Sequence, residues 1–173
     1  MVVSNPKPLS IAVLTISDTR CFETDTTDSS GQFLAESLVA AGHHLHEKII
    51  AQDDIPSIQA VVKDWISDRS VNAIITTGGT GFYSRDVTPE AISPLFEKSI
   101  EGFGELFRAI SYQEIGASTI QSRAFGGMAN NTCIFCLPGS QNACKTGWNK
   151  IIAEQLDSRT KPCHFVDHLL CSE

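Results

Sequence analysis

Positive charge is in short supply in this chain. Its 13 lysines and arginines stand against 20 aspartates and glutamates, and the formal net charge is -7. A nucleic-acid binder needs clustered Lys and Arg to displace counterions, so that class is excluded. Any anionic ligand must then be held locally, by backbone N–H groups, a few cations or a metal. Long apolar runs are missing as well. No stretch approaches the ~18–20 residues of a membrane span, and Met1-Val2-Val3-Ser4-Asn5-Pro6 has no signal-peptide pattern. The protein is therefore expected to be cytoplasmic and free of membranes, with its six cysteines present as reduced thiols. There is no internal repeat, low-complexity segment or linker. With 173 residues, 42% hydrophobic and 19% charged, residues 1–173 read as a single globular domain.

Metal-ligating patterns are also lacking. Cys133 and Cys136 form a C-x-x-C, but within the apolar run Thr132 to Leu137. Redox pairs of this spacing open a helix instead, so these thiols read as buried in a strand. His43, His44 and His46 fall at a helix-to-strand junction and read as a solvated surface cluster. Cys163, His164, His168 and Cys171 match ligands by type but fit no zinc spacing. No Ser-His or Cys-His pairing is visible at local spacing.

What the chain does have is one dense stretch, Thr76-Thr77-Gly78-Gly79-Thr80-Gly81-Phe82-Tyr83-Ser84-Arg85-Asp86-Val87-Thr88-Pro89-Glu90-Ala91. It follows the short β-branched run Ala73-Ile74-Ile75, a buried strand by its pattern. Glycines let the backbone turn sharply and bring N–H groups close to a ligand. Thr88-Pro89-Glu90 then reads as a helix start, with a hydroxyl cap, proline at the first position and an acid in the first turn. Strand, glycine turn, Arg85-Asp86 and helix start together suit a phosphate. A P-loop would need a lysine after the glycines, and a dinucleotide fingerprint would need G-x-G-x-x-G; neither is present.

Along the rest of the chain, Ile11 to Ile16 is a continuous apolar run, as in a central parallel strand. Arg20 to Ser30 is a polar loop, and Asp28-Ser29-Ser30-Gly31 opens a helix with Leu34, Leu38 and Ala41 on one face, closed by Gly42. Leu45 to Ile50 is a more polar strand near an edge. Asp53-Asp54 precede an amphipathic helix carrying Ile58, Val61, Val62, Trp65 and Ile66. Pro94 interrupts the helix after Thr88. Phe103, Leu106, Phe107 and Ile110 mark another helix, and Phe103 and Phe107 fit either a subunit contact or the core. Arg123 to Met128 and Thr132 to Leu137 read as strands that fit a hairpin around Asn130-Asn131, with Gly126-Gly127 weakening the first. A last helix places Cys144, Trp148, Ile151, Ile152 and Leu156 on one face.

Strands alternating with helices predict a mainly parallel sheet covered on both faces, with ligands outside the C-terminal ends of the strands. The loops there are Ser17-Asp18, Asp53-Asp54, Gly78 to Asp86 and Pro138-Gly139-Ser140. Two carboxylates beside glycine-cradled phosphates suggest Mg²⁺, which binds one or two carboxylates plus substrate phosphates.

At Thr77-Gly78-Gly79-Thr80-Gly81 and Arg85-Asp86-Val87-Thr88-Pro89-Glu90-Ala91 the chain resembles the molybdenum cofactor biosynthesis family of MoaB and MogA types, found also in gephyrin-type proteins. The likeness extends to Ser17-Asp18, Asp28 to Gly31, Gly102 to Glu105 and Leu137 to Ser140, and so covers nearly the whole chain. Its length and the ending Gln155 to Cys163 are most like the MoaB branch. The resemblance implies a three-layer, MogA-like and Rossmann-like α/β domain that binds molybdopterin and forms a homotrimer or homohexamer. It implies adenylyl transfer from Mg-ATP to the terminal phosphate of molybdopterin, with molybdate added later by an insertion protein. It assigns catalytic and Mg²⁺-binding roles to Asp86 and Asp53, with Asp54 competing for the second. It puts phosphates on Thr77, Gly78, Gly79, Thr80 and Gly81 with Arg85, and the pterin near Ser17, Asp18, Pro138, Gly139 and Ser140. The competing readings are a non-catalytic molybdopterin-binding or delivery protein and an interaction scaffold.

Overall fold

The computed structural model describes residues 6–19 and 27–171; of the polar loop read from Arg20 to Ser30, residues 20–26 lie outside the described residues. A six-stranded sheet runs through the centre. Its strands are β1 (Ser10–Ile16), β2 (His44–Ala51), β3 (Ala73–Thr77), β4 (Lys98–Ser99), β5 (Phe125–Ala129) and β6 (Thr132–Leu137), in the spatial order β2-β1-β3-β6-β5-β4. The β2–β1, β1–β3 and β3–β6 pairs are parallel, and the last two pairs are antiparallel. The apolar runs expected to be central are so, and the polar β2 is at a margin. β4 was not legible in the sequence. It is two residues long, beside the hairpin.

That hairpin turns through Asn130 and Asn131, at φ 45° and 67°. Ala129 pairs with Thr132, leaving a two-residue loop. Such a loop needs positive φ twice to match strand twist, and asparagine tolerates it. Gly126 and Gly127 do not weaken β5, because a Cβ at Gly127 would lie 2.3 Å from the Phe96 ring packed there.

Helices cover both faces. α1 (Ser29–Ala40) begins at Asp28, whose carboxylate accepts from the Gly31 amide, and α2 (Ile55–Ser67) begins at Asp54, which accepts from the Ser57 amide. Gly42, at φ 92°, closes the turn after α1. α3 (Thr88–Ile92) gives way at Pro94 to a 3₁₀ turn, as expected of proline. α4 (Glu101–Ile115) is followed by α5 (Gln141–Gly147), a π-helical turn over Trp148–Ile152, α6 (Ala153–Gln155) and α7 (Val166–Leu170).

The strands alternate strictly between two cores. Ile11, Val13, Ala73, Ile75, Cys133 and Phe135 point to the side of α1, α4 and α5. Ala12, Leu14, Ile74, Ile134 and Cys136 point to the side of α2 and α3, against Ile58, Val62 and Trp65. Phe103 and Phe107 are buried core residues, which decides between the two roles open to them. His43 departs from the surface reading. It is buried, and its Nδ1 accepts from the Leu9 amide. Ala41 likewise leaves the apolar face of α1: it caps the helix and is exposed. The Cys133 and Cys136 thiols are buried, and burial raises both pKa values, that of Cys136 to about 12. Among the described residues no cluster of three or more His, Cys, Asp or Glu could hold a metal, and no helix is long and apolar enough to cross a membrane.

Candidate functional site

Parallel register sets the site. Ile16 lies beside Ala51, Thr15 beside Thr77, and Thr77 beside Leu137, so four strands end on one line. The loops that leave them border a cavity of about 530 Å³. Ser17, Asp18, Asp53, Gly78, Gly79, Thr80, Gly81, Arg85, Asp86, Pro138, Gly139 and Ser140 all line it.

The glycine turn is strained in a way only glycine tolerates. Gly78 has φ 109° and Gly79 φ 63°. A Cβ on Gly78 would sit 2.1 Å from the Ile16 carbonyl, and one on Gly79 2.3 Å from the Thr88 hydroxyl. The main-chain hydrogen bonds of the turn are lopsided. Its carbonyls are all engaged: Gly78 O by the Thr88 hydroxyl at 2.9 Å, Gly79 O by the Thr88 amide at 3.0 Å, and Thr80 O and Gly81 O by Arg123 Nε at 3.3 and 2.9 Å. The Gly78 amide donates to Leu137 O. Among the described residues, nothing accepts from the amides of Gly79, Thr80 and Gly81. Three consecutive donors therefore remain for a ligand, the arrangement that forms an anion-binding concavity.

Arg123 locks this geometry. Besides the two loop carbonyls it donates to Asp86 O at 2.7 Å, pairs with Glu90 and lies over the Phe82 ring, 5.3 Å from its centroid. The sequence reading placed it at the start of a strand. Its partners are 33 to 43 residues away, so nothing local pointed to them.

The acids separate by role. Asp18 accepts from the Asp53 amide at 2.9 Å and ties two loops together. Asp54 caps α2 and is outside the cavity lining, while Asp53 is in it. Asp86 accepts from the Tyr83 amide at 2.8 Å. Burial raises the Asp53 pKa to about 6; Asp86 and Asp18 push it the same way, and a hydrogen bond from the Val87 amide and the Arg85 charge oppose this. The Oδ1 of Asp53 is buried without a hydrogen-bond partner. An orphaned carboxylate oxygen near a second carboxylate suits a hard divalent cation whose other ligands are phosphate and water. The residues present fit Mg²⁺.

Three expectations need correction. Thr77 does not line the cavity: its hydroxyl donates to Pro138 O at 2.9 Å, beside Cys144 Sγ at 3.1 Å. Thr88 is not a helix cap: Val87 holds that position, and the Thr88 hydroxyl donates to the Gly78 carbonyl instead. Gly78 shapes the turn but offers no free amide. Ser140 lines the cavity while its hydroxyl also accepts from the Ala143 amide, capping α5.

The opposite wall was missed. It comes from the end of α4 and from the last turn of α5, where Ser111, Glu114 and Thr146 face the cavity. The Thr146 hydroxyl lies 2.9 and 3.1 Å from the two oxygens of Glu114. Ser111 and Glu114, at i and i+3 on α4, are a polar pair on one face that could have been read from spacing.

Residues 12–158 match the family described as probable molybdopterin binding domain. Molybdenum cofactor biosynthesis protein B of Escherichia coli (strain K12) is 50% identical over 162 residues, covering 94% of each chain. The protein of the same name from Bacillus cereus is 45% identical over 160 residues, covering 92% of this chain and 93% of that one. Among solved structures, one of molybdenum cofactor biosynthesis protein B superposes with a TM-score of 0.83 at 45% identity, over 88% of this chain and 94% of that one. The tungsten cofactor synthesizing protein MoaB from Pyrococcus furiosus superposes at 0.78 with 38% identity, over 86% and 93%. With the glycine turn, the four converging loops and the sheet order all in place, this chain belongs to the molybdenum cofactor biosynthesis protein B family, built on a molybdopterin-binding domain.

Proposed function

We propose that this protein holds the phosphate of molybdopterin on the free amides of Gly79, Thr80 and Gly81 and transfers an adenylyl group to it from ATP. The observation that carries the reading is the donor-only turn, three unpaired amides next to Asp53 and Asp86. Mg²⁺, held by Asp53 and Asp86 together with phosphate oxygens, would offset negative charge as it moves during transfer. The chain's own work is placement. The amides fix the acceptor phosphate, Arg85 faces the cavity as a cation, and Arg123 holds the turn rigid from behind. An oxygen of the molybdopterin phosphate forms a bond to the α-phosphorus of ATP. The bond from that phosphorus to the β-phosphate oxygen breaks, and pyrophosphate leaves with the electron pair. The reaction is placed in the cytoplasm, in a homotrimer or homohexamer. Exposed Phe82, Tyr83 and Ile115, which line the cavity, and exposed Tyr112 and Ile120 supply apolar surface for such assembly. The product would pass to a molybdate-insertion protein.

A second reading is pterin binding and delivery without transfer. The observation favouring it is charge: among the described residues, Asp18, Asp53, Asp86 and Glu114 line the cavity against Arg85 alone. ATP would add to that negative field. Purified protein with molybdopterin, ATP and Mg²⁺ is expected to release pyrophosphate, and Asp86→Asn to slow this by about a hundredfold or more with the fold intact. Tight molybdopterin binding with no pyrophosphate from the wild type would select the second reading.

A further inference from the structure

The cavity has two walls of opposite chemistry. One presents amide donors and the Asp53–Asp86 pair. The other presents Glu114, an acceptor with no cationic partner among the described residues, whose hydrogen-bond partner is the Thr146 hydroxyl. Thr146 is 6% exposed, and its hydroxyl donates to the Glu114 carboxylate, so it orients that carboxylate from α5. The volume of about 530 Å³ exceeds what a phosphate needs and falls in the range of sites that bury a heterocycle.

We propose that Glu114, oriented by Thr146, reads the N–H edge of the pterin ring. This rests on the pterin-phosphate reading given above and deepens it. A 2-amino-4-oxo pterin shows two adjacent donors, the exocyclic amine and the neighbouring ring N–H. A carboxylate, with two oxygens and about four acceptor sites, matches them with parallel hydrogen bonds while still accepting from Thr146. The same negative charge repels phosphate, so the ligand can lie only one way round. Its anionic tail goes to the glycine turn and its ring to the end of α4. Glu114 thus selects the ring, and the turn selects the tail.

The test separates the two ends. The probes are a pterin carrying a phosphomethyl group at C6, the matching lumazine in which a carbonyl replaces the 2-amino group, and inorganic pyrophosphate. Each is titrated calorimetrically in Mg²⁺. Wild type is expected to prefer the pterin over the lumazine by about tenfold to a hundredfold, the range of a charge-assisted hydrogen bond. Glu114→Gln should bring that ratio close to one without weakening pyrophosphate binding. Thr146→Val should lower the ratio by a smaller factor, and Thr146→Ser should restore it, which a purely structural threonine would not do. Should Glu114→Gln not fold, Glu114→Asp carries the same test, since it withdraws the charge by one methylene. A wild type that binds pterin and lumazine equally, or a Glu114→Gln that keeps the preference or weakens both probes alike, overturns the role of Glu114 and leaves the amide turn standing. A wild type that binds none of the three probes overturns both.

Discussion

At the end of β3 the chain turns through Gly78 and Gly79 with positive φ; at the opposite end of the sheet it turns through Asn130 and Asn131, also with positive φ. The backbone conformations are alike, but the hydrogen bonding is not. At the asparagine turn both side chains find partners within the chain. Asn130 donates from its amide to Glu97 and from its side chain to Ile66 O, and the Asn131 side chain reaches Cys171 O. At the glycine turn the carbonyls are satisfied and three amides are not. One turn closes a hairpin; the other leaves a binding surface. A side chain makes the difference, since asparagine carries one that ties the turn to the rest of the chain, whereas glycine clears space for a foreign partner.

This contrast can be broken most severely at Gly78. Gly78→Ala puts a Cβ against the Ile16 carbonyl in a conformation alanine resists, and should cost about 2–4 kcal/mol of stability in denaturant unfolding. Next in size is Arg123→Ala. It removes the donor from Thr80 O, Gly81 O and Asp86 O and should cost about 1–3 kcal/mol. Molybdopterin affinity should fall with it, and Arg123→Lys should rescue little because a single ammonium cannot replace the fork.

A smaller and pH-dependent effect is expected at Asp53. Its folded pKa of about 6 lies above the ordinary carboxylate value of 3.8. The folded state therefore binds this proton more tightly, and stability from the group is present below the unfolded value and lost as pH rises through 6. Asp53→Asn should match wild type below pH 4 and be more stable above pH 6, with the gap opening between, as thermal melts across that window would reveal. Mg²⁺ should stabilise wild type only on the alkaline side of the same window, and Asp53→Asn not at all. The smallest effect belongs to the asparagine turn. Asn131→Gly keeps the positive φ and loses a 3.4 Å bond, so stability should move by no more than about 0.5 kcal/mol and binding not at all.

Much of this site could be read before any coordinates, for a topological reason. Parallel strands separated by helices bring their following loops to one edge, so Ser17, Asp53, Gly79 and Gly139 had to converge. The hairpin and the proline break were local signals and held. What escaped was tertiary. Arg123 acts on a loop some 40 residues earlier, and Glu114 meets Thr146 across 32 residues, distances over which spacing says nothing. Thr88 and Thr77 depart from expectation because their hydroxyls bond to the carbonyls of Gly78 and Pro138, which only the folded chain brings near. His43 was taken for a surface residue because its burial depends on Trp148, which packs edge-on against its ring.

The brevity of β4 bears on how copies of this protein can meet. Two residues give an incoming strand almost no main-chain groups to zip against, and the far border, β2, carries exposed His46 and Glu47. Neither border is a template for lengthening the sheet. Self-association is thereby steered toward helix and loop faces, and the polymerising, fibre-like route open to a bare sheet border is denied to it.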